Sequence, residues 1–144
     1  RLRCDWSSDV CSSDLKHSLA NTNNTFAIYM MKLVLEWLRD QGGVAAIESQ
    51  NDSKAALLYE VIDDSEFYLG VAHREHRSTM NVTFNLANDD LLDQFLTQAL
   101  ERGLYALKGH RNVGGVRASI YNAMPRIGCE TLADFMVDFE NNSC

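Results

Sequence analysis

His110, Arg111 and Arg117 crowd around the pair Gly114-Gly115 in the stretch GHRNVGGVRASIYNA, residues 109–123 of a 144-residue chain whose net charge is −7. Three strong donors gathered in an acidic protein are suited to holding a small anion. A planar guanidinium forms bidentate pairs with a carboxylate, and an imidazole and a second guanidinium add converging donors for a group with more oxygens. The two glycines let the backbone turn or approach closely beside such a group. The same residues also allow a plainer arrangement, in which Gly114-Gly115 makes a hairpin turn and the arginines are solvated charges. Residue types alone leave both open.

The elements that position these groups follow from periodicity. Val116, Ala118 and Ile120 alternate with Arg117, Ser119 and Tyr121, which predicts a strand whose polar face carries Arg117. Met80, Val82, Phe84 and Leu86 alternate with Asn81, Thr83 and Asn85, a second strand whose polar face is exposed or lines a cleft. From Thr25 a helix is predicted with apolar residues over most of its circumference, and it is expected to be largely buried. Gly42-Gly43 stops it, and a second helix runs from Val44 to Ile62 with apolar or small residues at 44, 47, 55, 58 and 62. Asn88 is a suitable N-cap for a helix carrying Leu92, Phe95, Leu96 and Ala99, with Gly103 beyond its end. A short strand is expected around Leu104–Leu107. A last helix, bearing Leu132, Phe135, Met136 and Phe139, follows Pro125. The result is an α/β layer with a mixed, mostly antiparallel sheet and helices on one face.

The length suits one domain or one piece of a larger protein. Net charge and interspersed basic residues argue against a nucleic-acid footprint, and no apolar run reaches membrane-spanning length. A soluble, cytoplasmic protein is expected. Residues 1–15, RLRCDWSSDVCSSDL, have no helical or strand period, and Cys4–Leu15 resembles a translated sequencing adapter; this segment is read as a fusion scar. Setting aside Cys4 and Cys11 leaves Cys129 and Cys144 in no disulfide framework or metal spacing, which suits a reducing compartment. Sequons at Asn23, Asn51, Asn81 and Asn141 are read as chance in an asparagine-rich chain. His73 and His76, three apart in a polar segment, are read as solvated surface and not as a metal site. No Ser-His-Asp or Cys-His arrangement and no nucleotide-type glycine loop stands out.

Four motifs carry a resemblance over residues 18–139: SLANT at 18–22, TFAIYMMKLVLEWL at 25–38, LKGHRNVGGVRASIYNAMP at 107–125 and LADFMVDFE at 132–140. Together they resemble the carboxy-terminal third of the phosphoserine aminotransferase family, class-V, fold type I enzymes of serine biosynthesis that use pyridoxal 5′-phosphate. The resemblance implies the small carboxy-terminal domain of that fold, preceded by a long linking helix. With the tail at 1–15 set aside, it divides the chain into linking helices at 16–65 and a small α/β domain at 66–144. It implies conversion of 3-phosphohydroxypyruvate and L-glutamate into O-phospho-L-serine and 2-oxoglutarate, a role in pyridoxine biosynthesis beside serine biosynthesis, and a homodimer. Arg117 then matches the clamp on the substrate α-carboxylate, and His110 with Arg111 matches the pair at the phosphate end. Asn21 and Thr22 match the pair that reaches the neighbouring subunit's cofactor phosphate, against the simpler reading of helix N-caps.

The chain departs from the family's pattern. Asn23-Asn24 replaces a Pro-Pro, which should loosen the approach to the first helix. The amino-terminal two-thirds are missing, with the lysine that bonds the cofactor; Lys16, Lys32, Lys54 and Lys108 do not match it. The intact parent is then the enzyme, and this chain alone is expected to be inactive. The alternatives are another fold type I aminotransferase with a different acid substrate, which the His110-Arg111 pair disfavours, and a stand-alone α/β binding module for a partner or small anion.

Overall fold

The computed structural model describes residues 23–143. Asn21, Thr22 and the expected tail at 1–15 lie outside the described residues. By its internal contacts the chain divides into two compact units, Arg1–Gly43 and Val44–Cys144.

The first unit contributes helix α1, Thr25–Asp40. Asn24 caps it, its side-chain oxygen accepting from the Ala27 amide at 3.1 Å. The capping role at this helix therefore belongs to Asn24. Gly42 and Gly43, at φ of 97° and 83°, end the helical path in a conformation that favours glycine. No residue of α1 is buried. The expectation that it is largely buried is thus corrected: Phe26, Ile28, Val34 and Leu35 stand exposed on several faces, and the unit has no second described element to cover them.

In the second unit, helix α2 (Gly43–Asp64) precedes strand β1 (Tyr68–Gly70), strand β2 (Asn81–Leu86), helix α3 (Leu92–Glu101), strand β3 (Val116–Ser119) and helix α4 (Arg126–Ser143). The sheet is antiparallel in the order β1-β2-β3, with Tyr68 opposite Leu86, and Thr83 opposite Arg117. Strict alternation along β2 buries Val82, Phe84 and Leu86 and leaves Asn81, Thr83 and Asn85 half-buried on the other face. The buried face packs with Leu58 of α2, Phe95 of α3 and Phe135, Met136 and Phe139 of α4 in one hydrophobic core. Phe95 is its hub, with ring centroids 4.9 Å from Phe135, 5.1 Å from Phe139 and 6.1 Å from Phe84. Tyr68 adds a hydroxyl that donates to the Met136 carbonyl at 2.7 Å, so a polar tip reaches the core already partnered. Cys129 is buried here, and burial pushes its thiol pKa up.

The alternating strands, the helices and the turn after Gly103 (φ 79°) agree with the expected pattern. Leu104–Leu107 is not a strand. Ala106 takes φ of 60°, breaking an extended path, and pairing there is confined to a bridge between Lys108 and Val116. The short strand β1 is an addition to the expected elements.

Candidate functional site

The polar face of the sheet opens on a cavity of about 110 Å³ lined by His110, Arg117, Thr83, Asn85, Gly109 and Gly114 among others. A bound water claims about 30 Å³ of liquid volume, so the space has room for the small anionic groups of a ligand.

Arg117 reaches this face because β3 alternates: Val116 and Ala118 enter the core and Arg117 points the opposite way. Its backbone amide donates to the Leu107 carbonyl at 2.7 Å, tying the strand to the segment before the loop. The guanidinium Nε is buried and has no acceptor among the described residues. The group thus retains hydrogen-bonding capacity in a place where an unpaired donor costs about 1–3 kcal/mol.

The loop carrying His110 is closed at its neck, where the Gly109 amide donates to the Gly115 carbonyl at 2.8 Å. The amides of Val113 and Gly114 both donate to the His110 carbonyl, at 2.9 and 2.8 Å. Gly114 and Gly115 have φ of 79° and 66°. A Cβ on Gly109 would strike the Gly114 carbonyl oxygen, and one on Gly115 would strike the Asn85 side-chain oxygen. Glycine here permits both the left-handed turn and the close approach of strand and loop. The Asn112 amide donates to Nδ1 of His110 at 3.3 Å, which makes Nε2 the protonated nitrogen of the neutral ring and presents it as a donor. His110 and Arg117 therefore share one cavity. Arg111 lies on the exposed turn and does not line it.

Behind β3, α2 holds the turn at 120–124. Lys54, only 3% exposed, donates to the carbonyls of Ile120, Tyr121 and Met124 at 3.2, 2.9 and 3.0 Å. Asn51 donates to the Asn122 side chain at 2.8 Å. The sequence pattern carried a signal for these two, since 47, 51, 54, 58 and 62 form a continuous helical stripe into which both polar residues fall.

No lysine lines the cavity among the described residues. Lys54 is occupied by its three carbonyls, and Lys32 makes an exposed 3.7 Å ion pair with Glu36. His73 and His76 flank and end a short 3-10 turn, and among the described residues no group of three His, Cys, Asp or Glu side chains is placed to hold a metal. No described helix is long and apolar enough to cross a membrane.

The sequence profile of the family described as Aminotransferase class-V matches residues 8–132. The chain belongs to the class-V aminotransferases. Within that family it is 59% identical over 132 residues to the phosphoserine aminotransferase of Geobacillus kaustophilus, covering 91% of this chain and 37% of the relative. It is 56% identical over 126 residues to that of Shouchella clausii, covering 87% of this chain and 35% of the relative. Among solved structures, phosphoserine aminotransferase from Bacillus circulans subsp. alkalophilus superposes with a TM-score of 0.87 at 42% identity, over 94% of this chain and 38% of that one. The pyridoxal-phosphate-bound enzyme from Trichomonas vaginalis gives 0.82 at 33% identity, over 95% and 39%. This class-V aminotransferase chain thus spans little more than a third of the curated relatives it matches.

Proposed function

We propose that this chain is the carboxy-terminal, substrate-anion-binding part of a pyridoxal-phosphate-dependent phosphoserine transaminase. The parent enzyme converts 3-phosphohydroxypyruvate and L-glutamate into O-phospho-L-serine and 2-oxoglutarate in the cytoplasm, serving serine and pyridoxine biosynthesis. The observation that carries this reading is the shared cavity of His110 and Arg117.

In this reading the Arg117 guanidinium binds the α-carboxylate common to both amino donors, and its unpaired Nε supports that role. His110 donates from Nε2 to the substrate phosphate, and Arg111 adds charge from the exposed turn. The closed neck of the 109–115 loop holds these donors without reorganisation when substrate arrives. Lys54 keeps the end of β3, and with it Arg117, in register. Pyridoxal phosphate, when bound, supplies the electron sink for the amino-group transfer. Its lysine comes from outside this chain, and Asn21 and Thr22 reach the cofactor phosphate of the neighbouring subunit in a homodimer.

The test is a chimera in which residues 18–139 replace the matching segment of the Geobacillus kaustophilus enzyme, with each half-reaction followed by cofactor absorbance. Arg117→Ala should impair the glutamate and phosphoserine half-reactions alike. His110→Ala or Arg111→Ala should cost phosphoserine about ten- to a hundredfold, the equivalent of roughly 1.5–3 kcal/mol for a charge-assisted hydrogen bond, and glutamate less. A folded, cofactor-loaded chimera that turns over neither substrate would overturn the reading.

A further inference from the structure

The cavity has a member that the charged residues do not explain. Asn85 is half-buried on the polar face of β2, lines the same cavity as His110 and Arg117, and its side-chain amide has no hydrogen-bond partner among the described residues. Its position relative to the two charged groups is set by register. Thr83 is the strand partner of Arg117, and Phe84 that of Val116, so Asn85 stands one step past the end of β3, where the chain turns into Gly115. Gly115 lies against the Asn85 side-chain oxygen, and only the lack of a Cβ allows it. Thr83 therefore flanks the Arg117 end of the cavity, and Asn85 flanks the end formed by the His110 loop.

We propose that Asn85 is a further specificity-determining residue, whose side-chain amide donates to the substrate phosphate at the His110 end of this cavity. The inference rests on the reading given under Proposed function. A phosphate presents more acceptor oxygens than a carboxylate, and a neutral amide satisfies one of them without adding charge that would also attract the side-chain carboxylate of glutamate. Arg117 holds what both amino donors share, and Asn85 reads where they differ.

The experiment uses the same chimera and measures kcat and KM in each half-reaction for Asn85→Ala, Asn85→Asp and Asn85→Gln. Asn85→Ala should lower kcat/KM for phosphoserine about tenfold, chiefly through KM, and leave glutamate within about twofold. The isosteric Asn85→Asp keeps the shape but repels the anion, so it should lose more than the alanine variant; Asn85→Gln keeps the amide and should lose less. Thermal melting of the three variants within a few degrees of the unsubstituted chimera would exclude a purely structural effect. Equal losses for both substrates, no loss, or an Asp variant no worse than Ala would overturn the inference. If the unsubstituted chimera and Arg117→Ala behave as described while the Asn85 variants do not, the transaminase reading stands and this inference alone falls. If the loaded, folded chimera turns over neither substrate, both fall.

Discussion

Lys54 and Met124 lie 70 residues apart in sequence, yet the Lys54 ammonium donates to the Met124 carbonyl at 3.0 Å. With its bonds to Ile120 and Tyr121, this buried side chain saturates three carbonyls that would otherwise face the core side of the turn after β3. Lys54→Met is close in length but has no donors. It should destabilise the unit by about 2 kcal/mol or more, because the Ile120 and Met124 carbonyls lose this donor while that of Tyr121 keeps the Met124 amide, and each carbonyl left unsatisfied costs about 1–3 kcal/mol. The check is a denaturant titration of the chain, and a variant as stable as the parent would show that the turn does not need its ammonium.

Gly115→Ala is expected to damage stability and site together. At φ of 66° an L-residue is strained, and the new Cβ meets the Asn85 side chain and, at 2.9 Å, the Phe84 carbonyl. A loss of about 1–3 kcal/mol in stability follows from the backbone conformation. In the chimera it should be accompanied by weakened phosphoserine binding, because the Asn85 side chain must move. Gly103→Ala is the control: its φ is 79° but nothing lies within 4 Å of the added carbon, so it should lose stability with substrate binding intact.

Mixed with pyridoxal phosphate and glutamate, the chain by itself should yield no 2-oxoglutarate. The described lysines are a carbonyl-bound core residue and surface side chains, and none lines the cavity. Absorbance spectra and a coupled assay for 2-oxoglutarate test this. Turnover abolished by one lysine substitution would contradict it.

Acid sensitivity should include a contribution from Asp63. Hydrogen bonds from the Arg77 guanidinium, at 2.7 and 2.6 Å, hold its carboxyl below the usual carboxylate range, and Arg74 adds charge at 3.1 Å. Because the folded-state pKa is depressed, the unfolded chain takes up the proton first as pH falls. The stabilisation is present above about pH 4 and is lost as pH drops through the folded pKa. The pair is partly solvated, so its worth is up to about 1 kcal/mol and shrinks with salt. Asp63→Asn should therefore be less stable than the parent at pH 7, with the gap narrowing as pH falls through the folded-state pKa of Asp63, measured by urea titration across the acid range.

Much of the fold was legible from local pattern, because burial of one face imprints a period on the sequence. The alternation at Asn81–Leu86 and Val116–Ser119 marked which side chains enter the core, and it set Arg117 on the polar face before any neighbour was known. Likewise the candidate anion stretch was visible, since His110 and Arg117 are close in sequence and joined by a glycine turn. Periodicity states which face is covered but not by what. The three-residue β1 is too short to show a period, and its pairing with β2 comes from the core around Tyr68. Leu104–Leu107 looked strand-like by composition, but Ala106 at φ of 60° turns the chain away, a conformation its residue type does not announce.

Tertiary contacts also decided the chemistry of polar residues. Asn51 and Lys54 occupy a core-facing stripe that reads as a fault in an amphipathic pattern until the carbonyls of the 120–124 turn arrive from the other end of the unit. Asn85 and Thr83 join His110 and Arg117 only through strand register, a long-range pairing that no local window contains. For α1 the apolar sequence determined a helix with several faces to cover, and its exposure follows from what is there to pack on it. The sequence by itself determined the helices, the faces that β2 and β3 bury and the candidate anion-binding residue types, because these follow from local periodicity and side-chain chemistry. Register, the partners of buried polar groups and the membership of the cavity were decided only by the fold, because each depends on residues distant in the chain being brought within hydrogen-bonding range.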